Sequence, residues 1–179
     1  MRKLDVEELN RIGIEEFKET NKIPVVVVLD NVRSLNNIGS VFRTADAFRV
    51  QAVYLCGITA KPPHREIHKT ALGATESVDW KYFKSTIDAV NELKNEGFCV
   101  LAIEQVETGK DILSYHIEQN KKYGLVFGHE VKGVQQDVIN IADNCLEIPQ
   151  FGTKHSLNIS VCAGIVMWEF FKPNRNLLK

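Results

Sequence analysis

The chain has 179 residues, enough for one ordinary domain but too few for two independent cores. Hydrophobic residues make up 44% and charged residues 25%, which excludes the disordered and fibrous classes. Lys plus Arg number 22 against 23 acidic residues, so the net charge of -1 excludes a global field for phosphate polymers and leaves nucleic-acid contact to local patches.

In chain order, the first 22 residues set Leu9, Ile12 and Phe17 among mixed charges and predict a helix packed on the domain edge. Acids interrupt its apolar residues, so it lacks a signal-peptide core. Residues 25–29 are a β-branched run closed by Asp30 and Asn31, which predicts a strand buried on both faces. Ile38, Val41, Phe42, Ala45 and Phe48 then recur at helical spacing, with Asn36 or Asn37 placed to cap the start. A second strand is expected over residues 52–56.

Next comes a basic cluster of Lys61, His64, Arg65, His68 and Lys69, with Trp80, Lys81, Tyr82 and Lys84 beyond it. Alone, it fits a solvated charged face as well as a phosphate-tracking patch. Ser85 opens a capping-box pattern, Ile87, Val90 and Leu93 make an apolar stripe, and Gly97 ends the helix. Further strands are expected over residues 99–103, 125–127 and 146–148, with helices around Val134, Val138 and Ile141 and over residues 159–171. This alternation predicts an α/β domain with a mainly parallel sheet and helices on both faces.

In open α/β sheets ligands sit beyond the C-terminal ends of strands, and three such loops are unusual. The first runs through Asn37, Gly39 and Arg43; the second holds Gly128, His129, Glu130 and Gly133; the third runs from Ile148, Pro149 and Gln150 to Ser156, Leu157, Asn158 and Ile159. Singly, the polar residues are explained as caps, solvated charges or helix-dipole partners. Three polar strand-end loops in one small domain point to a site.

Several chemistries lack their motifs. No GxGxxG, GxxxxGK[ST] or GxSxG occurs, which removes the usual dinucleotide, nucleoside-triphosphate and α/β-hydrolase sites. His64 and His68 enclose Arg65-Glu66-Ile67 rather than a metalloprotease motif, and no third ligand is evident, so no metal is expected. Cys56, Cys99, Cys145 and Cys162 form no CxxC pair and read as reduced, buried thiols. With no signal segment and no apolar run long enough for a bilayer, the expected location is the cytoplasm.

Together the three loops resemble the signature motifs of the SpoU (TrmH-like) family of RNA ribose 2′-O-methyltransferases in the SPOUT superfamily. N-x-G-x-x-x-R matches Asn37, Gly39 and Arg43; G-x-E-x-x-G matches Gly128, Glu130 and Gly133. The third motif, I-P-M followed by S-L-N-V-S, reads Ile148-Pro149-Gln150 and Ser156-Leu157-Asn158-Ile159-Ser160, with Gln150 for Met and Ile159 for Val. Ala71-Leu72-Gly73-Ala74 also looks like the family's small-residue segment.

The resemblance implies a SPOUT-type fold with a C-terminal trefoil knot, a single domain over residues 1–179 without a separate RNA-binding domain, and a homodimer using S-adenosylmethionine. It implies catalytic roles for Asn37, Arg43, Glu130, Ser156 and Asn158, with His155 as the alternative base. Leu101, Ala102, Ile103, Glu104, Gly128, Ile148, Ser156, Leu157 and Asn158 would hold the cofactor. Arg43, Lys61, Arg65, Lys69 and Lys154 would meet RNA, helped by the tail Lys172, Arg175 and Lys179. The implied partner is tRNA ahead of rRNA, with no membrane; a catalytically inactive RNA-binding SPOUT module and a small phosphorylated substrate held by Arg43 and Lys154 are the rivals.

Overall fold

Four consecutive valines favour extended backbone because their branched side chains restrict χ1. In the computed structural model, which describes residues 1–5 and 7–178, they form the middle of β1 (Ile23–Asp30). The other strands are β2 (Val50–Cys56), β3 (Trp80–Phe83), β4 (Cys99–Ile103), β5 (Lys110–Asp111), β6 (Tyr123–Phe127) and β7 (Asn144–Glu147). They make one sheet in the order β3-β2-β1-β6-β4-β7-β5, with every pairing parallel.

Alternation along β1 feeds two cores. Val25, Val27 and Leu29 face one cluster, while Val26 and Val28 face the other. The first is covered by α2 (Leu35–Ala47), α3 (Arg65–Ala71) and α7 (Ile159–Asn174), through Phe42, Ile67, Met167 and Phe170 among others. The second is covered by α5 (Thr86–Asn95) and α6 (Gln136–Ile141), through Val90, Leu93 and Val138. Helices on both faces of a parallel sheet are the predicted class.

Some details depart from the expectations. The N-terminal segment is a 3-10 turn (Glu7–Leu9) followed by a separate six-residue α1 (Ile14–Glu19), anchored by the buried Phe17, rather than one helix. The cap of α2 is Ser34, whose Oγ accepts from the Asn37 amide at 3.3 Å; neither Asn36 nor Asn37 caps it. This correction frees the Asn37 side chain for other use. The edge strands β3 and β5, and the short α3 and α4 (Ala74–Ser77), went unpredicted. The thiols are all free, but only Cys56 is buried and the other three are half-buried. Ser85 caps α5 as expected, accepting from the Ile87 amide at 3.2 Å, and Gly97 follows with φ +82.

The order of strands explains where a ligand can sit. The chain builds outward through β1, β2 and β3, then returns to the other side with β4, and β6 later fills the place between β1 and β4. The loops leaving β1, β4, β6 and β7 therefore converge at the reversal of strand order, where such sheets open a crevice. Among the described residues, no helix is long and apolar enough to cross a membrane.

Candidate active site

The end of β1 is held by a fully buried carboxylate. Asp30 Oδ1 accepts from the Thr86 hydroxyl at 2.5 Å, Gln135 Nε2 at 2.6 Å and Asn31 Nδ2 at 2.9 Å, while its Oδ2 accepts from the Gln135 amide at 2.9 Å. A buried charge persists only when it is this well partnered. Asp30 thus ties the first loop to the start of α5 and to the segment after the second loop.

Beyond Asp30 the chain enters α2, where Gly39 packs directly on α3. A Cβ at Gly39 would collide with the Ile67 carbonyl and the Thr70 hydroxyl, so only glycine lets the helices meet here. Arg43 lies six residues past Asn37, about 9 Å along the axis. It is exposed and, among the described residues, has neither a hydrogen-bond nor an ion-pair partner.

The second loop closes on itself. The His129 amide donates to the Gly133 carbonyl at 3.0 Å and the Gly133 amide returns to His129 at 2.8 Å. Gly133 has φ +68, and a Cβ at Gly128 would strike the Gly133 and Val134 backbone. The motif's two glycines therefore serve a left-handed residue and a close backbone approach. Glu104, at the end of β4, accepts from the Val134 amide at 2.9 Å and braces the loop from below.

Glu130 reaches back to the first loop. Its carboxylate accepts from the Ser34 amide at 2.9 Å and the Arg33 amide at 3.1 Å, and from Asn37 Nδ2 at 3.4 Å. Desolvation pushes its pKa up, but these hydrogen bonds together outweigh it and hold the carboxyl below the usual glutamate range. Asn37 Oδ1 in turn accepts from Asn158 Nδ2 at 3.2 Å. Asn158 also caps α7, its Oδ1 accepting from the Ser160 amide at 2.9 Å and the Val161 amide at 3.4 Å. Glu130, Asn37 and Asn158, one residue from each motif, form a single hydrogen-bonded chain.

Beside that chain lies a cavity of about 660 Å³ at the C-terminal ends of β4, β6 and β7. Of the residues expected to hold a cofactor, Ile103, Glu104, Gly128, Ile148, Ser156, Leu157 and Asn158 line it. Leu101 and Ala102 do not: both are fully buried inside β4, paired with β6 and β7 on either side. Glu130 and His155 are on the wall, whereas Asn37 and Arg43 are not. Gln105, Val106, His129 and Cys162 also line the cavity and were missed. The first three adjoin strand ends, a signal that was readable; Cys162 comes from α7 and carried none. Burial, with the Glu104 charge adding, pushes the Cys162 thiol up to about 11, so it forms wall rather than nucleophile at neutral pH.

The basic residues are distributed over separate elements. Lys61, Arg65, Lys69 and Lys154 are all exposed, the first three before or on α3 and Lys154 on the third loop. Lys69 pairs with Glu66 at 2.7 Å, and the Lys61 ammonium lies 4.5 Å from the Tyr82 ring centroid. In the tail, Lys172 pairs with Glu169 at 2.6 Å and Arg175 is exposed, while Lys179 lies outside the described residues.

The sequence and the fold match known proteins. The model of the SpoU rRNA methylase family covers residues 24–168, which include all three loops. The chain belongs to that family. It is similar to a tRNA (guanosine(18)-2′-O)-methyltransferase of Thermus thermophilus, 29% identical over 162 residues that cover 90% of this chain and 81% of the relative. It is also similar to a 23S rRNA (guanosine-2′-O-)-methyltransferase of Neisseria meningitidis, 30% identical over 89% of this chain but only 63% of the relative. The AdoMet-bound rRNA methyltransferase of Sinorhizobium meliloti superposes with a TM-score of 0.78 at 26% identity, covering 90% of this chain and 59% of that one.

Proposed function

We propose that this SpoU-family chain transfers a methyl group from S-adenosylmethionine to a ribose 2′-hydroxyl of RNA, with tRNA ahead of rRNA as substrate. The observation that carries the reading is the Glu130–Asn37–Asn158 chain at the cavity, since it joins the three motif loops that a methyl-transfer site needs together. The cavity fits the cofactor. Its volume lies within the usual small-molecule range, and Ile103, Ile148, Leu157 and Ile139 provide apolar wall beside the polar loop backbone that would fix an adenosine.

When bound, S-adenosylmethionine supplies an electrophilic methyl on a sulfonium. The protein has to align a ribose oxygen with it, exclude water and dispose of one proton. Alignment contributes about 7–11 kcal/mol, against roughly 3–5 kcal/mol for a positioned base. A site of Asn, Ser, Arg and backbone amides therefore suffices. The Arg43 guanidinium clamps the target phosphate and 2′-oxygen through its fork of donors, lowering the hydroxyl pKa by its charge while phosphate or water takes the proton. Asn37 orients the ribose, Ser156 and Asn158 line the approach, and Glu130 keeps Asn37 in place.

Arg43 is absent from its own chain's cavity wall, and this supports a homodimer in which each subunit completes the other's site. The surface available is the outer face of α7, where Val161, Ile165 and Trp168 continue from Leu157 as an exposed apolar stripe. The trefoil knot belongs to the same reading. It is supported by the late insertion of β6 between β1 and β4 and by the return of α7 against α2. The preference for tRNA rests on the larger share of the tRNA relative that the chain covers. The reading places the protein in the cytoplasm with its RNA.

Incubation with methyl-labelled S-adenosylmethionine and separate pools of unmodified tRNA and rRNA tests the reading. Label in tRNA is expected. Cofactor binding by calorimetry with no label in either pool would sink it, and full activity of a His155→Ala variant would remove the alternative base.

A further inference from the structure

The helix that packs on α2 borders a second cavity of about 490 Å³, which shares no lining residue with the first and whose walls include Trp80, Pro62, Pro63, His64, Arg65 and His68. We infer that this cavity holds one unstacked nucleotide of the substrate RNA, flanking the target; the inference rests on the RNA-methylating reading above.

Three features support this occupant. The first is a flat aromatic wall. The partly exposed Trp80 and the two prolines offer planar and apolar surface suited to a base face, and base stacking on aromatic rings is how single-stranded RNA is gripped without regard to sequence. The second is charge. Arg65 is exposed and without a hydrogen-bond or ion-pair partner among the described residues, and Lys61 and Lys69 stand near it in the chain. Lys69 is engaged by Glu66, Lys61 lies over the Tyr82 ring, and of the three only Arg65 lines the cavity, so Arg65 is the cation offered to a phosphate there. His64 Nδ1 accepts from the Glu66 amide at 3.2 Å, which puts that ring's proton on Nε2 as a further donor.

The third feature is placement. The Thr70 hydroxyl on α3 donates to the Asn36 carbonyl on α2 at 3.0 Å, and Gly39 admits α3 at close range. Asn36 and Arg43, seven residues apart, lie on one side of α2. Packed helix axes are about 8–10 Å apart, a distance that one or two nucleotides span. Glu76 on the cavity wall is an acceptor suited to an exocyclic amine of the base rather than to a phosphate, which separates the two ends of the occupant.

The test uses the whole protein and short single-stranded RNA oligonucleotides as the probe. Tryptophan emission should be quenched on titration, and the quenching should be absent in Trp80→Phe. In methyl transfer, Thr75→Trp, which fills the cavity, and Arg65→Glu should each raise the RNA KM by about tenfold with kcat and cofactor affinity kept. Unquenched emission together with unchanged KM in both variants overturns the inference while leaving the methylation reading intact. A change of oligomeric state in Thr75→Trp by sedimentation would show that a second copy of the chain fills the cavity, and would also overturn it. Loss of transfer by the wild type itself would instead remove the reading on which the inference rests.

Discussion

Residues 128–133 and residues 150–157 border the same cavity, but the chain holds them by different means. The first loop is closed by paired backbone bonds between His129 and Gly133, braced by Glu104 and tied to the first motif through Glu130. The second makes no hydrogen bond to the rest of the chain among the described residues until Asn158, and Phe151 is 98% exposed. Half of the site is therefore preorganised, with its backbone donors already fixed. The other half is held by few contacts of its own, so the proposed function expects it to order when cofactor binds.

The largest effect is expected at Arg43, the residue proposed to clamp the substrate. Arg43→Ala is expected to lower turnover by about 10²–10³-fold with cofactor affinity unchanged, as loss of a charge-stabilising donor does. Arg43→Lys should fail to rescue it, because a point charge lacks the fork; near wild-type turnover in that variant would contradict the clamp.

Breaking the support of the rigid half should cost stability. Asp30→Ala strands the Thr86 hydroxyl and the Gln135 donors in a buried place, at about 3 kcal/mol, and should lower the Tm by roughly 6–12 °C in calorimetry. An unchanged Tm would mean that water or another acceptor replaces the carboxylate. On the outer face, Ile165→Glu should yield a folded monomer in ultracentrifugation that binds cofactor and transfers no methyl. A monomeric but active variant would end the shared-site model.

Glu130→Gln should be milder, about 1 kcal/mol at neutral pH. The folded carboxyl titrates below the ordinary glutamate value, so its contribution is full above about pH 4.3 and is lost as pH falls through the lowered folded value. Denaturant melts of the two proteins should accordingly differ at pH 7, and the difference should shrink as the pH is lowered through the acid range. The smallest effect belongs to the open loop. Phe151→Ala should change stability by less than about 0.5 kcal/mol, yet hydrogen exchange of residues 150–157 should slow on adding S-adenosylmethionine. Equal exchange with and without cofactor would contradict the division into a fixed and an adaptable half.

The same division describes what the sequence discloses. The run of valines, the alternation of elements and the helix over residues 159–171 are legible because burial imposes periodicity on them. Asn37, Glu130 and Asn158 are legible as motif members, but their shared hydrogen-bonded chain is not, since it links residues 93 and 121 positions apart. Asp30 reads locally as a turn residue, and only the fold reveals it as a buried hub. Asn36 and Asn37 look like caps in the sequence, but the helix starts one turn earlier and Ser34 caps it by accepting from the Asn37 amide. Leu101 and Ala102 lie in the interior of β4 and Glu104 just past its end, a difference that proximity in sequence does not disclose. Trp80–Phe83 passes for a charged segment because an edge strand need not bury either face fully.

The most direct measurement is nucleoside mass spectrometry of tRNA treated with the enzyme and S-adenosylmethionine, beside the same tRNA treated with Arg43→Ala. The account predicts one 2′-O-methylated nucleoside, with the added mass on the ribose, present with the wild type and missing with the variant. A methyl found on a base, or a ribose methyl that persists in the Arg43→Ala sample, would contradict it.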